Sequence, residues 1–219
     1  MYEVKVIIAD ASQVGTYSDE IINHIPEYYA KKYKSIKRKQ EADQELTAGF
    51  LLKRYLDISS DEQLERPQNG KPMLQSGKPF FNLSHSGEYV VLAISDIDIG
   101  LDIEKIRDIH WPTVRKVFQE SQQDQLENTP KTEQPQQFTK LWTNWEAKLK
   151  LSGTGFATDL GQKDAKWADS IVHCIKYKDY MITCAAYENF YMSVEETQLQ
   201  GLGKGDYDDK VMRMEQMEQ

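Results

Sequence analysis

The run Ile99-Gly100-Leu101-Asp102-Ile103-Glu104 alternates apolar and acidic residues behind a glycine. That is the period of a β-strand, so Asp102 and Glu104 leave one face together. Two other segments supply chemistry that would suit such a face. Asn82-Leu83-Ser84-His85-Ser86-Gly87 precedes it, and Trp142-Thr143-Asn144-Trp145-Glu146-Ala147-Lys148-Leu149-Lys150 follows later in the chain. In the second, Glu146 and Lys150 are four apart in a helix-compatible segment and share a face. A fold that joins the three segments assembles a histidine, three carboxylates and a lysine. These are the residue types needed to hold a metal ion on a substrate phosphate. Without a cation, three clustered acids repel one another and raise each other's pKa, so the cluster predicts a metal.

Around these segments the pattern alternates between strands and helices. Residues 2–9 read as a strand, and Pro26 near the start of 27–39 together with the spacing of Leu46, Phe50, Leu51 and Tyr55 predicts two helices, roughly 26–40 and 41–56. Asn69-Gly70 and Ser76-Gly77 are turn signals that bracket a short strand over 71–75. The run 89–94 reads as a strand, with 99–104 as its partner across a turn at 95–98. A helix is expected from Trp111 to about Leu126, starting near Pro112. Residues 121–137 hold six glutamines and two prolines with little that is apolar, which predicts a mobile loop. Residues 138–151 form an amphipathic helix closed by Ser152-Gly153. Residues 171–176 and 180–186 read as a closing hairpin turning at Lys178-Asp179. From about 200 the chain is highly charged, and a frayed or partner-dependent tail is expected.

Composition bounds the class. The chain has 219 residues, enough to bury a sizeable core, and its 28% charged and 39% hydrophobic shares are those of a soluble globular protein. No apolar run is long enough to span a membrane, and the first residues lack the character of a secretory signal, so no membrane association is expected. Two cysteines, Cys174 and Cys184, supply no disulfide framework and fit a reduced, cytoplasmic setting. A net charge of −8 argues against nucleic acid as a partner. Six basic residues nevertheless fall within 31–39: Lys31, Lys32, Lys34, Lys37, Arg38 and Lys39. They form either a solvated helix face or a local positive surface for an anionic ligand.

The segments Gly70-Lys71-Pro72, Phe81-Asn82-Leu83-Ser84-His85-Ser86, Ile99 to Glu104 and Trp142 to Lys150 resemble, in order and spacing, the motifs of the 4′-phosphopantetheinyl transferases of the surfactin-synthetase-activating (Sfp) type. The resemblance runs from roughly residue 40 to 186. It implies an α+β fold built as a pseudo-dimer of two similar α/β halves, with the active site in the cleft between them. The halves would be 1–100 and 101–199, the second carrying the metal motifs, followed by a polar tail over 200–219. The implied reaction is transfer of 4′-phosphopantetheine from coenzyme A to a serine of an apo acyl or peptidyl carrier protein, with release of 3′,5′-ADP. Mg²⁺ is the implied cofactor and a monomer the implied state.

The resemblance also implies roles for particular residues. Asp102, Glu104 and Glu146 would hold the metal, and Glu146 is also a candidate base for the serine proton. Lys150 would reach the phosphates, in both a catalytic and a binding role. Ser84 and His85 would contact coenzyme A, with His85 on a phosphate, and Lys71 would serve the nucleotide end. No Gly-x-Ser-x-Gly elbow surrounds Ser84, which argues against a hydrolase nucleophile there. Two positions depart from the family pattern. Trp145 replaces a lysine beside the metal-binding glutamate, and Gln44-Glu45 replace a region that commonly carries an arginine. The second departure points to the Lys37–Lys39 cluster for the 3′-phosphate. Rival readings are a non-catalytic relative that binds coenzyme A or a carrier protein, and a metal-dependent phosphate-ester hydrolase using the same carboxylates.

Overall fold

The computed structural model describes residues 1–67, 71–153, 169–199 and 202. The chain folds as α+β. Strand β1 (Tyr2–Asp10) leads through a 3₁₀ segment (Ala11–Tyr17) into helices α1 (Ser18–Ile22), α2 (Glu27–Ser35) and α3 (Lys39–Leu56). Two-residue strands β2 (Leu64–Glu65) and β3 (Met73–Leu74) precede the hairpin β4 (Phe80–Ser86) and β5 (Tyr89–Ser95). Then come β6 (Gly100–Lys105), α4 (Trp111–Val117), α5 (Glu120–Asn128), the long helix α6 (Gln134–Ser152), and strands β7 (Ile171–Tyr177), β8 (Tyr180–Ala186) and β9 (Phe190–Thr197).

Two sheets stack face to face. The first has the order β4-β5-β1-β9, with β1 parallel to β9 and antiparallel to β5; the second has the order β6-β8-β7. On one face of the first sheet, Ile7, Ala9, Val90 and Leu92 pack against Leu46, Phe50 and Leu51 of α3. On the other, Val4, Val6, Ile8, Val91 and Ala93 meet Leu101, Ile103, Ile182 and Cys184 of the second sheet. Covered on both faces, β5 is a continuous apolar run with no alternation. The far face of the second sheet takes α6 through Ala147, Leu151 and Ala185.

Several expectations hold and others need correction. The strand over 2–9, the turn at Ser76-Gly77, the helix ending at Gly153 (φ 67°) and the β7–β8 hairpin are all present. The helix expected over 26–40 stops at Ser35, where Ile36 turns extended, and α3 begins at Lys39. The strand expected over 71–75 is only Met73–Leu74, paired with Leu64–Glu65. β6 is not the hairpin partner of β5. Both edges of β5 are taken, by β4 and β1, and buried Ile97 and Ile99 carry the chain across to the second sheet, where β6 pairs with β8.

The helix expected over 111–126 is two helices, broken where Phe118 turns extended and Gln119 forms a capping box with Gln122. The loop expected over 121–137 is mostly helical. Leu126 is fully buried, and the Gln134 carboxamide donates to the carbonyls of Leu126 and Thr129, tying the end of α5 to the start of α6. The turn expected at Asn69-Gly70 lies outside the described residues, as does the tail from 200 onward apart from Leu202. The expected division near residue 100 falls between β5 and β6, while β9, from the far end of the chain, lies beside β1.

Candidate metal and phosphate site

Asp102 and Glu104 leave the face of β6 that looks toward α6, because Leu101 and Ile103 fill the core on the other side. Gly100 sets how closely the helix approaches. A Cβ there would lie 1.9 Å from the Ala147 carbonyl oxygen and 2.5 Å from the Leu151 nitrogen, so only glycine admits this contact. The close approach lowers Glu146 and Lys150, one turn apart on α6, over the acids of β6. Asp102, Glu104 and Glu146 each offer a carboxylate oxygen within 4.8 Å of the others. Lys150 Nζ donates to Asp102 Oδ1 (2.7 Å) and to Ser84 Oγ (2.8 Å).

Strand β4 holds the cluster from a third side. Asn82, Ser84 and Ser86 point from alternate positions onto the edge of β6 that β8 leaves open. Asn82 Oδ1 accepts from Leu101 N (2.9 Å), Ser84 Oγ from Ile103 N (3.3 Å) and Ser86 Oγ from Lys105 N (3.2 Å). The two serine hydroxyls also donate to the acids, Ser84 to Asp102 Oδ1 (2.9 Å) and Ser86 to Glu104 Oε2 (2.8 Å). Sequence reasoning missed Asn82 and Ser86 as parts of the site. The signal was a small polar residue at every second position from 82 to 86.

Electrostatics fit a cation. Burial, reinforced by the Asp102 charge, pushes the Glu146 carboxyl up to about 8, despite the opposing pull of Lys150. Burial also raises Glu104, against the bond from Ser86. Asp102 is 2% exposed, and its Oδ2 is buried without a hydrogen-bond partner. An orphaned carboxylate oxygen costs about 1–3 kcal/mol or more, and a divalent cation removes that cost. Three carboxylate oxygens are a donor set that Mg²⁺ accepts, its remaining positions being taken by water or ligand oxygens.

The remaining predicted residues lie apart from the acids. His85 projects from the opposite side of β4 to the two serines. Desolvation holds its imidazole below the ordinary value, with Lys150 and Lys32 adding to the effect against Glu45 and Asp102. Lys71 is bound to Asp98 and to the Ile99 carbonyl (2.7 Å), so its ammonium anchors the entry to β6; neither partner belongs to the acid cluster. Gln44 donates to the Gly87 carbonyl at the β4–β5 turn (2.8 Å), and Glu45 accepts from Lys32 (2.7 Å). Much of the basic run is already paired. Lys31 meets Glu27 (2.9 Å), Arg38 meets Glu41 (2.9 Å) and Lys39 meets Asp43 (2.5 Å). Trp145 packs against Trp142 with the rings tilted at 41° (centroids 5.2 Å apart), beside the cluster that joins α4, α5 and α6.

Comparison with known proteins places this arrangement. The family model of the 4′-phosphopantetheinyl transferase superfamily matches residues 98–194, the segment that holds Asp102, Glu104, Glu146 and Lys150. Over that segment the chain is similar to the superfamily. It is 33% identical to 4′-phosphopantetheinyl transferase psf-1 of Bacillus pumilus over 55% of this chain and 52% of that protein. It is 32% identical to the transferase gsp of Aneurinibacillus migulanus, over 53% of this chain and 51% of that protein. Identity to the transferase Sfp of Bacillus subtilis is 29%, over 66% of this chain and 72% of that protein. The chain thus spans about half the length of the first two of these superfamily relatives. Among the described residues, no helix is long and apolar enough to cross a membrane.

Proposed function

We propose that this protein is a 4′-phosphopantetheinyl transferase of the Sfp type, moving phosphopantetheine from coenzyme A to a serine of an apo acyl or peptidyl carrier protein. The observation that carries the reading is the convergence of Asp102, Glu104 and Glu146 within 4.8 Å, with Lys150 on Asp102, inside the segment the superfamily matches. Coenzyme A would lie between the two α/β halves, 1–100 and 101–199. The protein would act as a cytoplasmic monomer.

The reaction needs positioning and charge compensation more than covalent chemistry. Mg²⁺ held by Asp102, Glu104 and Glu146 would neutralise pyrophosphate charge when bound. Lys150, 30% exposed, spends two N–H groups on Asp102 and Ser84, and its third would meet a phosphate oxygen. His85, neutral at pH 7, would donate a ring N–H to a coenzyme A phosphate, with Ser84 beside it. Lys71, held by Asp98 and Ile99, would support the nucleotide end by fixing the loop into β6. Glu146, once ionised, would take the proton from the carrier serine hydroxyl. The serine oxygen bonds to the phosphorus of the phosphopantetheine, the bond from that phosphorus to the bridging oxygen breaks, and 3′,5′-ADP leaves.

Incubation with coenzyme A, Mg²⁺ and an apo carrier protein tests this by mass spectrometry. The expected product is a carrier heavier by one phosphopantetheine group. Free phosphopantetheine would instead mark a phosphate-ester hydrolase, and an unchanged carrier with bound coenzyme A a non-catalytic relative.

A further inference from the structure

Ser86 has no part in the roles above, yet its hydroxyl is fully engaged. Its oxygen accepts from Lys105 N (3.2 Å), and its proton goes to Glu104 Oε2 (2.8 Å). Because the backbone N–H fills an acceptor position and cannot itself accept, the hydroxyl hydrogen is left for the carboxylate, so the bond has a fixed direction. Ser84 repeats the pattern one step along, accepting from Ile103 N and donating to Asp102 Oδ1. On each acid of β6, one oxygen is therefore held by a β4 serine. On Asp102 the other oxygen, Oδ2, is the buried atom without a partner.

We infer that Ser86 is a positioning residue for Glu104: it holds Oε2 and so presents Oε1 to a divalent cation alongside Asp102 and Glu146. The terminal torsion of a glutamate is broad and twofold, so the carboxylate plane does not fix itself. A purely structural role does not require a serine here. The Lys105 N–H lies at the exposed end of β6, where water satisfies a backbone donor. What water does not supply is a donor locked toward Glu104. Hydrogen-bond partners of metal-binding side chains typically contribute about 10–100-fold to metal affinity.

The inference rests on the acid cluster being a cation site, and the test separates the two. Mn²⁺ is titrated into the full chain, with and without coenzyme A, and free Mn²⁺ is followed by electron paramagnetic resonance. Thermal midpoints are recorded for each variant. Wild-type protein should bind Mn²⁺; no binding would overturn the cation-site reading itself, and the inference with it. Given wild-type binding, Ser86→Ala should weaken Mn²⁺ about tenfold or more with a small change in midpoint, and Ser86→Thr should restore affinity to within about threefold. A lowered midpoint with unchanged Mn²⁺ affinity would overturn the inference and leave Ser86 a backbone cap. Ser86→Cys, which keeps the shape but donates weakly, answers the same question if the alanine variant does not fold. Undiminished affinity in that variant overturns the inference equally.

Discussion

Strand β6 meets β8 along one edge through a backbone ladder from Gly100↔Ala185 to Lys105↔Tyr180, and meets β4 along the other through side chains alone. The ladder uses groups that every residue except proline has, so its geometry is nearly indifferent to side-chain identity. The β4 edge is different. It requires a short polar acceptor at 82, 84 and 86, and two of those acceptors also steer a carboxylate. The same strand is thus attached twice, once by chemistry common to all sequences and once by residues that also build the site. Substitutions on the β4 side should therefore reach metal binding as well as stability, Ser86 at the exposed end of β6 affecting metal binding more than stability, and substitutions on the β8 side should affect stability alone.

The largest effect is expected at Gly100. Valine there drives a Cβ into the backbone of Ala147 and Leu151, so α6 must move off β6. We predict a loss of about 3 kcal/mol or more in urea unfolding, together with loss of Mn²⁺ binding, since Glu146 and Lys150 move with the helix. Asn82→Leu comes next. It keeps the volume but leaves the buried Leu101 N–H without an acceptor, which should cost about 1–3 kcal/mol in the same measurement. Met181→Leu on β8, buried opposite Glu104 but hydrogen-bonded to β6 through its backbone alone, should cost less than about 1.5 kcal/mol and leave Mn²⁺ affinity unchanged. If Asn82→Leu proves as mild as Met181→Leu, the distinction between the two edges fails.

Trp145→Lys probes the neighbouring helix face with the smallest change. Removing the tilted ring contact with Trp142 should cost about 0.5–1.5 kcal/mol of stability beyond lost area, and the added charge should lower the KM for coenzyme A. The change in kcat should stay within about tenfold, or about 1.4 kcal/mol in the barrier. A protein inactive on every apo carrier that gains transfer with this substitution would identify the natural chain as a non-catalytic relative.

What could be read from the sequence was local. The period of two at Leu101–Glu104 places both acids on one face, and the spacing of four puts Glu146 with Lys150, because each depends only on its own strand or helix. Pairing was not local. Ser95–Asp98 has the composition of a hairpin turn, but nothing near it announces that β1 already occupies the edge of β5. The glutamines of α5 gave no clear preference, and their order depends on one buried leucine and on the carboxamide of Gln134 reaching back from the next helix. Ser86 read as part of a ligand-binding segment because the edge it serves, in β6, lies outside that segment.

The parallel pairing of β1 with β9 has a consequence for how the chain reaches this state. Strand β1 leaves the ribosome long before its outer neighbour, Phe190–Thr197, has been made. Until then β1 offers an apolar open edge, with Val4, Val6 and Ile8 on one face and Ile7 on the other. Contacts so distant in sequence slow folding. A nascent chain halted before Phe190 would expose that edge, so aggregation during synthesis should fall sharply once β9 emerges, well after the acids of β6 and α6 have been made.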